Sequence, residues 1–185
     1  SVIGSGAIAQ IKPAHPSELM SRVPGAVVMP TTGEGSIVGI RQPIGTSPVY
    51  LYLEDGIPIR ATGFFNHNAL YEVNLPQAGG IEVIRGPGGA LQGSDAIGAV
   101  VNALTRAPSA KPEADLTVEG GSFGWVRGLA SVSNTWGKLG VRGDLNMTRT
   151  DGWRDSTGYD RESATIRVDN AFTSNFSTRT VVTAT

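Results

Sequence analysis

The sequence predicts an α+β domain with a small mixed sheet, followed by a run of antiparallel β-strands. Three observations predict this order. Residues 1–110 contain short runs of β-forming residues separated by turn signals, with one helix signal near the start. Residues 111–185 instead alternate between apolar and polar side chains, which is the period of a strand. The 25 glycines and 11 prolines are scattered without a repeat, which indicates many turns and short elements.

The composition excludes several classes of protein. Apolar residues make up 39% of the chain and charged residues 17%, which is enough for a packed core. The net charge of -1 gives no electrostatic support to nucleic-acid binding. Cysteine is absent, so disulfides and thiolate metal sites are excluded. No apolar stretch is long enough to be a membrane-spanning helix.

The first half carries one helix signal and five strand signals. The helix is expected at residues 16–23, because Pro16 suits a first helical position and Pro24 and Gly25 end the pattern. Short helical turns are expected between the last two strands. The five strands, rich in β-forming residues, are predicted at residues 26–29, 36–41, 49–53, 80–85 and 99–104.

The second half shows its alternation most clearly at residues 139–149. Apolar positions such as Leu145 and Met147 face one way, and polar positions such as Asp144 and Asn146 face the other. Residues 163–169 repeat the pattern, with charges of both signs on the polar face. A soluble sandwich turns its polar face to water, whereas a membrane barrel turns its apolar face to lipid and its polar face to the lumen. Periodicity alone leaves both open.

Aromatic residues and connection lengths favour the barrel. The connections expected at residues 122–124, 134–138 and 174–175 are short, whereas the one at 150–161 is long and polar, as in outer-membrane barrels. Aromatic residues near the predicted strand ends match the girdles of such barrels, although they could equally be ordinary core or hairpin residues. They are Trp125, Trp136, Trp153, Phe172 and Phe176.

One segment carries a specific resemblance. Residues 81–102 read IEVIRGPGGALQGSDAIGAVVN, which resembles the plug signature of TonB-dependent receptors, a strand ending in IRGP followed by YGSxAIGGVIN. Upstream, residues 18–27, 40–41 and 52–58 resemble the family's LL..VPGV, IRG and YxDGVP segments, in the same order. Residues 120–124 and 150–155 resemble the first hairpin and second outer loop of its barrel. The departures, at Gln42, Gln92 and Ala99, are mild.

The resemblance implies a fold, a location and a function. The fold is an α+β plug domain at residues 1–110, followed at 111–185 by antiparallel β-strands of an incomplete transmembrane β-barrel. The function is TonB-energised uptake through the bacterial outer membrane, with a ferric siderophore as the expected ligand ahead of haem, cobalamin and oligosaccharide. The partners are TonB of the inner-membrane energy-coupling complex, the ligand and outer-membrane lipid, with no nucleic acid. The alternative is a soluble or surface β-rich ligand-binding module without transport.

The same resemblance names the residues that build the plug motif. Glycines in this segment are expected where the backbone needs a positive φ or close packing. A phosphate-binding loop is the alternative, but the Gly-Lys-Ser/Thr element that such loops use is missing. The structural motif residues are Glu82, Gly86, Pro87, Gly93 and Gly98.

Two arginines are candidates for ion pairing between plug and barrel. Arg41 and Arg85 each end a predicted strand, and the resemblance implies that both pair with glutamates on later barrel strands. A buried guanidinium without a partner is costly, so such pairs could fix the plug in its lumen. A solvated arginine at a strand end is the alternative.

The candidate ligand-binding residues lie in one polar and aromatic segment. The resemblance implies that the loop at residues 63–68 is a plug apex that touches substrate, although a small local core of phenylalanines and an ordinary loop histidine are the alternative. With only His15 and His67, no protein metal site or resident cofactor is expected. No catalytic constellation is present, so an enzyme is not expected. The candidates are Arg60, Phe64, Phe65, Asn66 and His67.

The length predicts that the barrel is incomplete. Barrels with a plugged lumen close with about 22 strands. After residue 111 the chain has 185 minus 111, or 74, residues, which is enough for about five strands of ~10 residues with their connections. The chain is therefore expected to be part of a longer protein. A TonB box is not recognisable in it.

Overall fold

The structure, a computed structural model, describes residues 1–67 and 69–185. It divides into two compact units, Ser1–Leu104 and Thr105–Thr185. The division falls six residues before the boundary expected at residue 110. Residues 105–110 belong with the second unit, where the Ser109 amide donates a hydrogen bond to Ser133 Oγ at 2.7 Å and Thr135 Oγ1 donates to the Ser109 carbonyl at 2.8 Å.

The first unit contains a five-stranded mixed sheet and a separate hairpin. The sheet order is β1-β6-β7-β4-β5, and only the β4–β7 pair is parallel. The hairpin consists of β2 and β3. The elements are β1 Val2–Gly4, α1 Ser5–Ile11, α2 Pro16–Met20, β2 Ala26–Pro30, β3 Ser36–Ile40, β4 Tyr50–Glu54, β5 Ile57–Pro58, the 3-10 helices Ala69–Glu72 and Leu75–Gln77, β6 Gly80–Arg85 and β7 Ala99–Leu104.

The predicted elements are present, with bounds that match the prediction or differ from it by a few residues. Strands β6 and β7 have the expected bounds, and α2 begins at Pro16 as predicted but ends at Met20, before residue 23. Strand β3 ends at Ile40 because Arg41 adopts a positive φ of 54°. Between β6 and β7 the structure has turns where short helical turns were expected. Strands β1 and β5, helix α1 and both 3-10 helices were not predicted.

The first unit has two apolar clusters, and the larger one holds its elements together. Leu19 and Met20 of α2 are fully buried with Ile40 of β3 and Ile81 of β6. The hairpin is also tied to the sheet by a polar contact, in which the Ile40 amide donates to Tyr50 Oη at 2.9 Å. The core therefore joins helix, hairpin and sheet, and the central strands carry few polar side chains because both their faces are covered.

The glycines of the motif serve the two purposes expected. Gly86 and Gly93 have φ values of 102° and 80°, which residues with a Cβ rarely adopt. Gly98 provides close packing instead, since a Cβ there would lie 2.8 Å from Tyr50 Cε1. Glu82 accepts a hydrogen bond from Asn102 Nδ2 at 3.2 Å across the β6–β7 pair.

The second unit is a single antiparallel sheet in which each strand pairs with the next along the chain. Its order is β12-β11-β10-β9-β8, and the sheet is not closed. This is the run of strands that the alternation predicted. The elements are β8 Glu113–Gly120, β9 Val126–Trp136, β10 Leu139–Thr150, β11 Tyr159–Ala171 and β12 Ser177–Ala184.

The two faces of this sheet are inverted relative to a soluble protein. Asp144 and Asn146 of β10 are buried, whereas the alternate residues Leu145 and Met147 are exposed. Strand β11 follows the same rule, with Arg167 buried and Ile166 exposed. A soluble sandwich buries its apolar face. The arrangement is that of a membrane barrel, with lipid outside and a polar lumen, so the sandwich alternative is not supported.

The predicted girdle aromatics form two groups at opposite ends of the sheet. Trp136, Phe172 and Phe176 are exposed at the end that carries the turns 137–138 and 172–176. Trp125 and Trp153 lie at the other end, beside the turn 121–125 and the longer connection 151–158. Such pairs of aromatic bands mark the two interfaces of a membrane.

Among residues 1–67 and 69–185, none of the helices has the length and apolar character needed to cross a membrane.

Candidate functional site

The predicted ligand-binding loop presents an exposed aromatic surface. Phe64 and Phe65 are 46% and 48% exposed, and their rings stack with centroids 4.8 Å apart. The His67 ring lies 5.4 Å from that of Phe65. The two rings pack on each other, as in the small local core that was the alternative, but both residues remain almost half exposed. Asn68, the last residue of the predicted loop, lies outside the described residues.

Arg60 holds this loop in place through several contacts. Its Nε and Nη2 donate to Glu72 Oε1 at 3.0 and 2.8 Å, and its Nη1 donates to the carbonyl oxygens of His67 and Phe65. Its guanidinium carbon also lies 4.8 Å from the centroid of the Phe64 ring, which is a cation–π contact. One side chain thus fixes both the backbone and the first ring of the loop.

Asn66 has an internal role. It is only 3% exposed, and its Nδ2 donates to the carbonyl oxygens of Val38 and Gly45 at 2.7 and 3.0 Å. Its Oδ1 accepts a hydrogen bond from Tyr52 Oη at 3.0 Å. Unlike its aromatic neighbours, Asn66 fastens the loop to β3 and β4 and turns its amide away from solvent.

Tyr52 is held in its neutral form as the donor to Asn66. Burial raises the pKa of the Tyr52 hydroxyl well above its usual range, and the positive charge of Arg60 opposes this only in part. The hydroxyl therefore keeps its proton at all physiological pH values, so this hydrogen bond does not depend on pH.

A second hydrogen bond that holds the loop, in addition to those of Asn66, was not predicted. The Gly63 amide donates to Asp95 Oδ2 at 2.7 Å, which joins the loop to the segment that follows the glycine motif. Asp95 itself adopts a φ of 66°, a conformation that aspartate tolerates better than most residues. The sequence signal was weak, because one aspartate in a turn does not indicate a partner 32 residues away.

The two predicted ion-pairing arginines meet at one turn. Arg85 Nη1 donates to the Pro24 carbonyl at 3.0 Å, and the Arg41 amide donates to the Gly25 carbonyl at 2.9 Å. Arg41 is exposed, and Arg85 is half-buried. The structure thus brings together two residues that are 44 positions apart in sequence.

The polar face of the second unit carries ion pairs that the sequence did not specify. Arg142 Nε donates to both carboxylate oxygens of Asp144 at 3.2 and 3.1 Å, and Arg106 also pairs with Asp144. Arg167 repeats the arrangement with Asp169 at 3.0 and 2.7 Å. The sequence did contain one sign of these pairs: the arginine and the aspartate are two residues apart, which places opposite charges on the same face of a strand.

A family model of the TonB-dependent receptor plug domain matches residues 1–100. These residues include the helix, the hairpin and most of the mixed sheet, together with the loop and its aromatic surface. The match covers more than half of the chain.

Curated relatives extend the similarity into the second unit. A vitamin B12 transporter, BtuB, of Vibrio vulnificus is 28% identical over 146 residues, which are 77% of this chain and 22% of that protein. BtuB of Photobacterium profundum is 31% identical over 147 residues, or 77% of this chain and 24% of that protein. The chain therefore spans about a quarter or less of the length of the curated relatives that it matches.

Solved structures share the fold. The siderophore receptor PirA of Pseudomonas aeruginosa is 25% identical with a TM-score of 0.72, and the match covers 99% of this chain and 34% of PirA. P. aeruginosa FpvA, solved with bound pyoverdine, is 17% identical with a TM-score of 0.73 over 94% of this chain and 23% of FpvA, a likeness of fold alone. With its plug matched and its apolar-out sheet superposing on these receptors, the chain belongs to the TonB-dependent receptors of the bacterial outer membrane.

Proposed function

We propose that this chain supplies the plug and first barrel strands of a receptor that takes up a scarce ligand through the outer membrane with energy delivered by TonB. The family match supports this function, and so does the inverted sheet, which places an apolar face towards lipid. The observation that carries the proposal is the exposed, braced aromatic surface of Phe64 and Phe65.

A ferric siderophore is the ligand class that we propose. Large siderophore complexes present flat chelating groups, which the faces of the two phenylalanine rings can stack against. Structural relatives such as PirA are siderophore receptors, which supports this choice. The two curated relatives named above are vitamin B12 transporters, which makes cobalamin the second candidate.

We divide the five predicted ligand-binding residues into two roles. Phe64, Phe65 and the neighbouring ring of His67 are proposed to touch the ligand. Arg60 and Asn66 are proposed to position that surface, because the polar groups of both side chains are engaged by other parts of the plug. Iron, if it is the cargo, arrives already chelated and needs no protein ligands.

Arg41 and Arg85 are proposed to pair with barrel glutamates outside this chain. Their position at a single turn supports one combined attachment point of two positive charges. We expect this attachment point to be released when the plug rearranges during transport, since only a few charge-assisted bonds need to break.

Removal of both rings tests the proposed function. In the purified full-length receptor, we expect Phe64→Ala with Phe65→Ala to weaken ligand binding by about ten-fold or more, since each stacked ring contributes roughly 0.5–1.5 kcal/mol. Binding is measured by quenching of intrinsic fluorescence with three probes: a ferric tris-catecholate, a ferric tris-hydroxamate and cyanocobalamin.

The matched control is Leu91→Ala, which removes a fully exposed apolar side chain from another loop of the plug and leaves affinity unchanged. Tight binding of cyanocobalamin alone would transfer the proposal to cobalamin. Full affinity of the double phenylalanine variant for every probe that the receptor binds would show that this surface is not the ligand site.

A further inference from the structure

A groove of about 390 Å³ lies on the second unit near one end of its sheet. Three adjacent strands, β8, β9 and β10, form it, and its exposed surface is mainly apolar. The groove is outside the ligand-binding loop and within one unit. Its principal lining residues are Pro112, Ala114, Val132, Asn134, Trp136 and Val141.

The strand register places this groove on the apolar, outward face. Ala114 pairs with Val132, and Asn134 pairs with Val141, so their side chains lie on one side of the sheet. It is the side of Leu145, which is exposed. Room for the groove is left by Ala114, which is small, and by Gly143, beside Val132, which has no side chain. A recess of this kind on a lipid-facing wall fits a hydrocarbon chain.

The groove lies at the level of a membrane interface. Trp136 borders it, and the exposed ring pair of Phe172 and Phe176 lies at the same end of the sheet. This end carries the two-residue turn between β9 and β10, and outer-membrane barrels place their short turns on the periplasmic side. A lipid in the groove would therefore belong to the periplasmic leaflet.

Two lysines lie beside the groove, and Glu113, the one carboxylate of its lining, pairs with Arg142 at 3.7 Å. The chain has three lysines, and two of them, Lys111 and Lys138, are at this end. Lys111 precedes Pro112 of the groove lining, and Lys138 lies in the turn that follows Trp136. Both residues are exposed, and Lys138 Nζ donates to the Phe172 carbonyl at 3.3 Å, which holds it close to the aromatic band.

We propose that this groove is a binding site for an anionic phospholipid. One acyl chain lies against Ala114, Val132 and Val141, and the phosphate lies between Lys111 and Lys138. Trp136 packs beside the part of the acyl chain nearest the phosphate. This is the headgroup level of the membrane, which tryptophan rings prefer. The inference uses the barrel fold and does not depend on which ligand the receptor transports.

Site-specific quenching tests the proposal. The full-length receptor is placed in phosphatidylcholine vesicles that contain a small fraction of brominated phosphatidylglycerol or, in parallel, brominated phosphatidylcholine. The difference in fluorescence between the receptor and Trp136→Phe isolates the signal of Trp136. We expect phosphatidylglycerol to quench it preferentially.

Removing the lysine charges should weaken the preference for phosphatidylglycerol by a defined amount. One juxtamembrane lysine is worth ~1 kcal/mol towards an anionic lipid, so Lys111→Gln or Lys138→Gln should lower the preference about five-fold and the double variant about 30-fold. Lys12→Gln, in the first unit, is the matched control and keeps the preference. Filling the groove with Ala114→Leu should reduce quenching by brominated phosphatidylglycerol while both lysines remain.

Three outcomes would overturn the proposal. Equal quenching by the two lipids means that Trp136 meets only bulk bilayer. A preference that survives in the double lysine variant means that the headgroup is bound elsewhere. Absence of quenching by either lipid means that protein, not lipid, covers the groove. Ligand binding by the same preparations is measured in parallel, so failure of the lipid site is distinguishable from failure of the proposed uptake function.

Discussion

Two polar side chains beneath the aromatic surface determine its shape. Arg60 donates to the backbone of the loop and to Glu72, while Asn66 is hydrogen-bonded to β3, β4 and Gly45. Buried polar groups of this kind contribute little net stability when satisfied but are costly when a partner is removed. Arg60 and Asn66 therefore fix the position of the loop, because a small displacement would leave several hydrogen-bonding groups without partners at once.

Asn66→Ala should release the loop. It leaves Tyr52 Oη and the carbonyl oxygens of Val38 and Gly45 without their partner in a buried position, so we expect the free energy of local opening to fall by about 2–4 kcal/mol. Hydrogen exchange of residues 60–67 in the full-length receptor measures it. Thr62→Ala, at an exposed turn, is the control, and equal protection in both variants would show that Asn66 does not hold the loop.

His15 makes the first unit sensitive to pH. Its Nδ1 accepts a hydrogen bond from the Ser17 amide at 3.0 Å and so caps helix α2, which requires the ring to be neutral. Burial lowers the pKa of His15 below its usual 6.5, and the nearby backbone of Gly35, Glu34 and Gly33 opposes this shift. The unfolded chain therefore binds the proton more readily than the folded one, and stability decreases as pH falls.

As the pH falls, the stability of the first unit is expected to start decreasing near pH 6.5, the pKa of His15 in the unfolded chain. The decrease continues down to the lower pKa of His15 in the folded state. His15→Asn should remove this part of the pH dependence, because asparagine caps helices equally well and does not titrate. Hydrogen exchange of α2 at pH 7.5 and pH 5.5 gives the comparison. His67 is present in both proteins, so their difference reports on His15; identical pH profiles would contradict the prediction.

At the scale of elements, strand β10 shows best how the sequence specifies the environment of the second unit. Its side chains alternate from Leu139 to Thr148, and the polar set is the buried one. Arg142 is tolerated there because Asp144 and Glu113 lie within 4 Å of its guanidinium. Polar pairs inside and apolar residues outside are what a strand between a lumen and a lipid phase requires.

Leu145→Arg should be strongly destabilising because it puts a charge near the middle of the outward face. We expect the free energy of folding into vesicles to fall by about 2–4 kcal/mol, the cost of arginine near the bilayer midplane. Urea titration of the full-length receptor in phospholipid vesicles measures it. Glu162→Arg, on the same face but near the end of β11, should cost no more than about 1 kcal/mol; equal losses would argue against a membrane on this face.

The elements that sequence predicted well are those with strong local signals. Strands β6 and β7 combine β-branched runs with flanking glycines, and α2 begins with Pro16 after a capping residue. Strand β1 has only three residues, and α1 begins after Gly4 without a side-chain cap, so neither has a local signal of its own. Both depend on tertiary contacts, such as the pairing of Ile3 with Ile81.

The candidate site was predicted only as far as local sequence allows. Exposed phenylalanines in a polar loop can be recognised from the sequence, but the internal role of Asn66 depends on Val38 and Gly45, which are 28 and 21 residues away. The pairing of Arg60 with Glu72 likewise needs the intervening loop to fold back. Single-sequence patterns contain no information on such distant partners.

At the scale of the whole molecule, two units with opposite designs lie in one chain. Residues 1–104 bury apolar side chains as a water-soluble domain does, whereas 105–185 bury polar ones. A polar lumen can hold a soluble domain only through polar contacts, since it offers no apolar surface for packing. This is why we propose charged groups of the first unit, such as Arg41 and Arg85, as its attachment points.

Arg85→Ala should loosen the plug throughout the full-length receptor. Loss of the hydrogen bond to Pro24 alone would raise hydrogen exchange only around the 24–25 turn, whereas loss of an attachment to the barrel should raise it in many amides of residues 1–104. Adding Arg41→Ala should enlarge the effect, and Arg22→Ala, an exposed arginine of the same unit, serves as the control. Exchange that rises only at the turn in the double variant would show that these arginines stabilise the plug internally and do not anchor it.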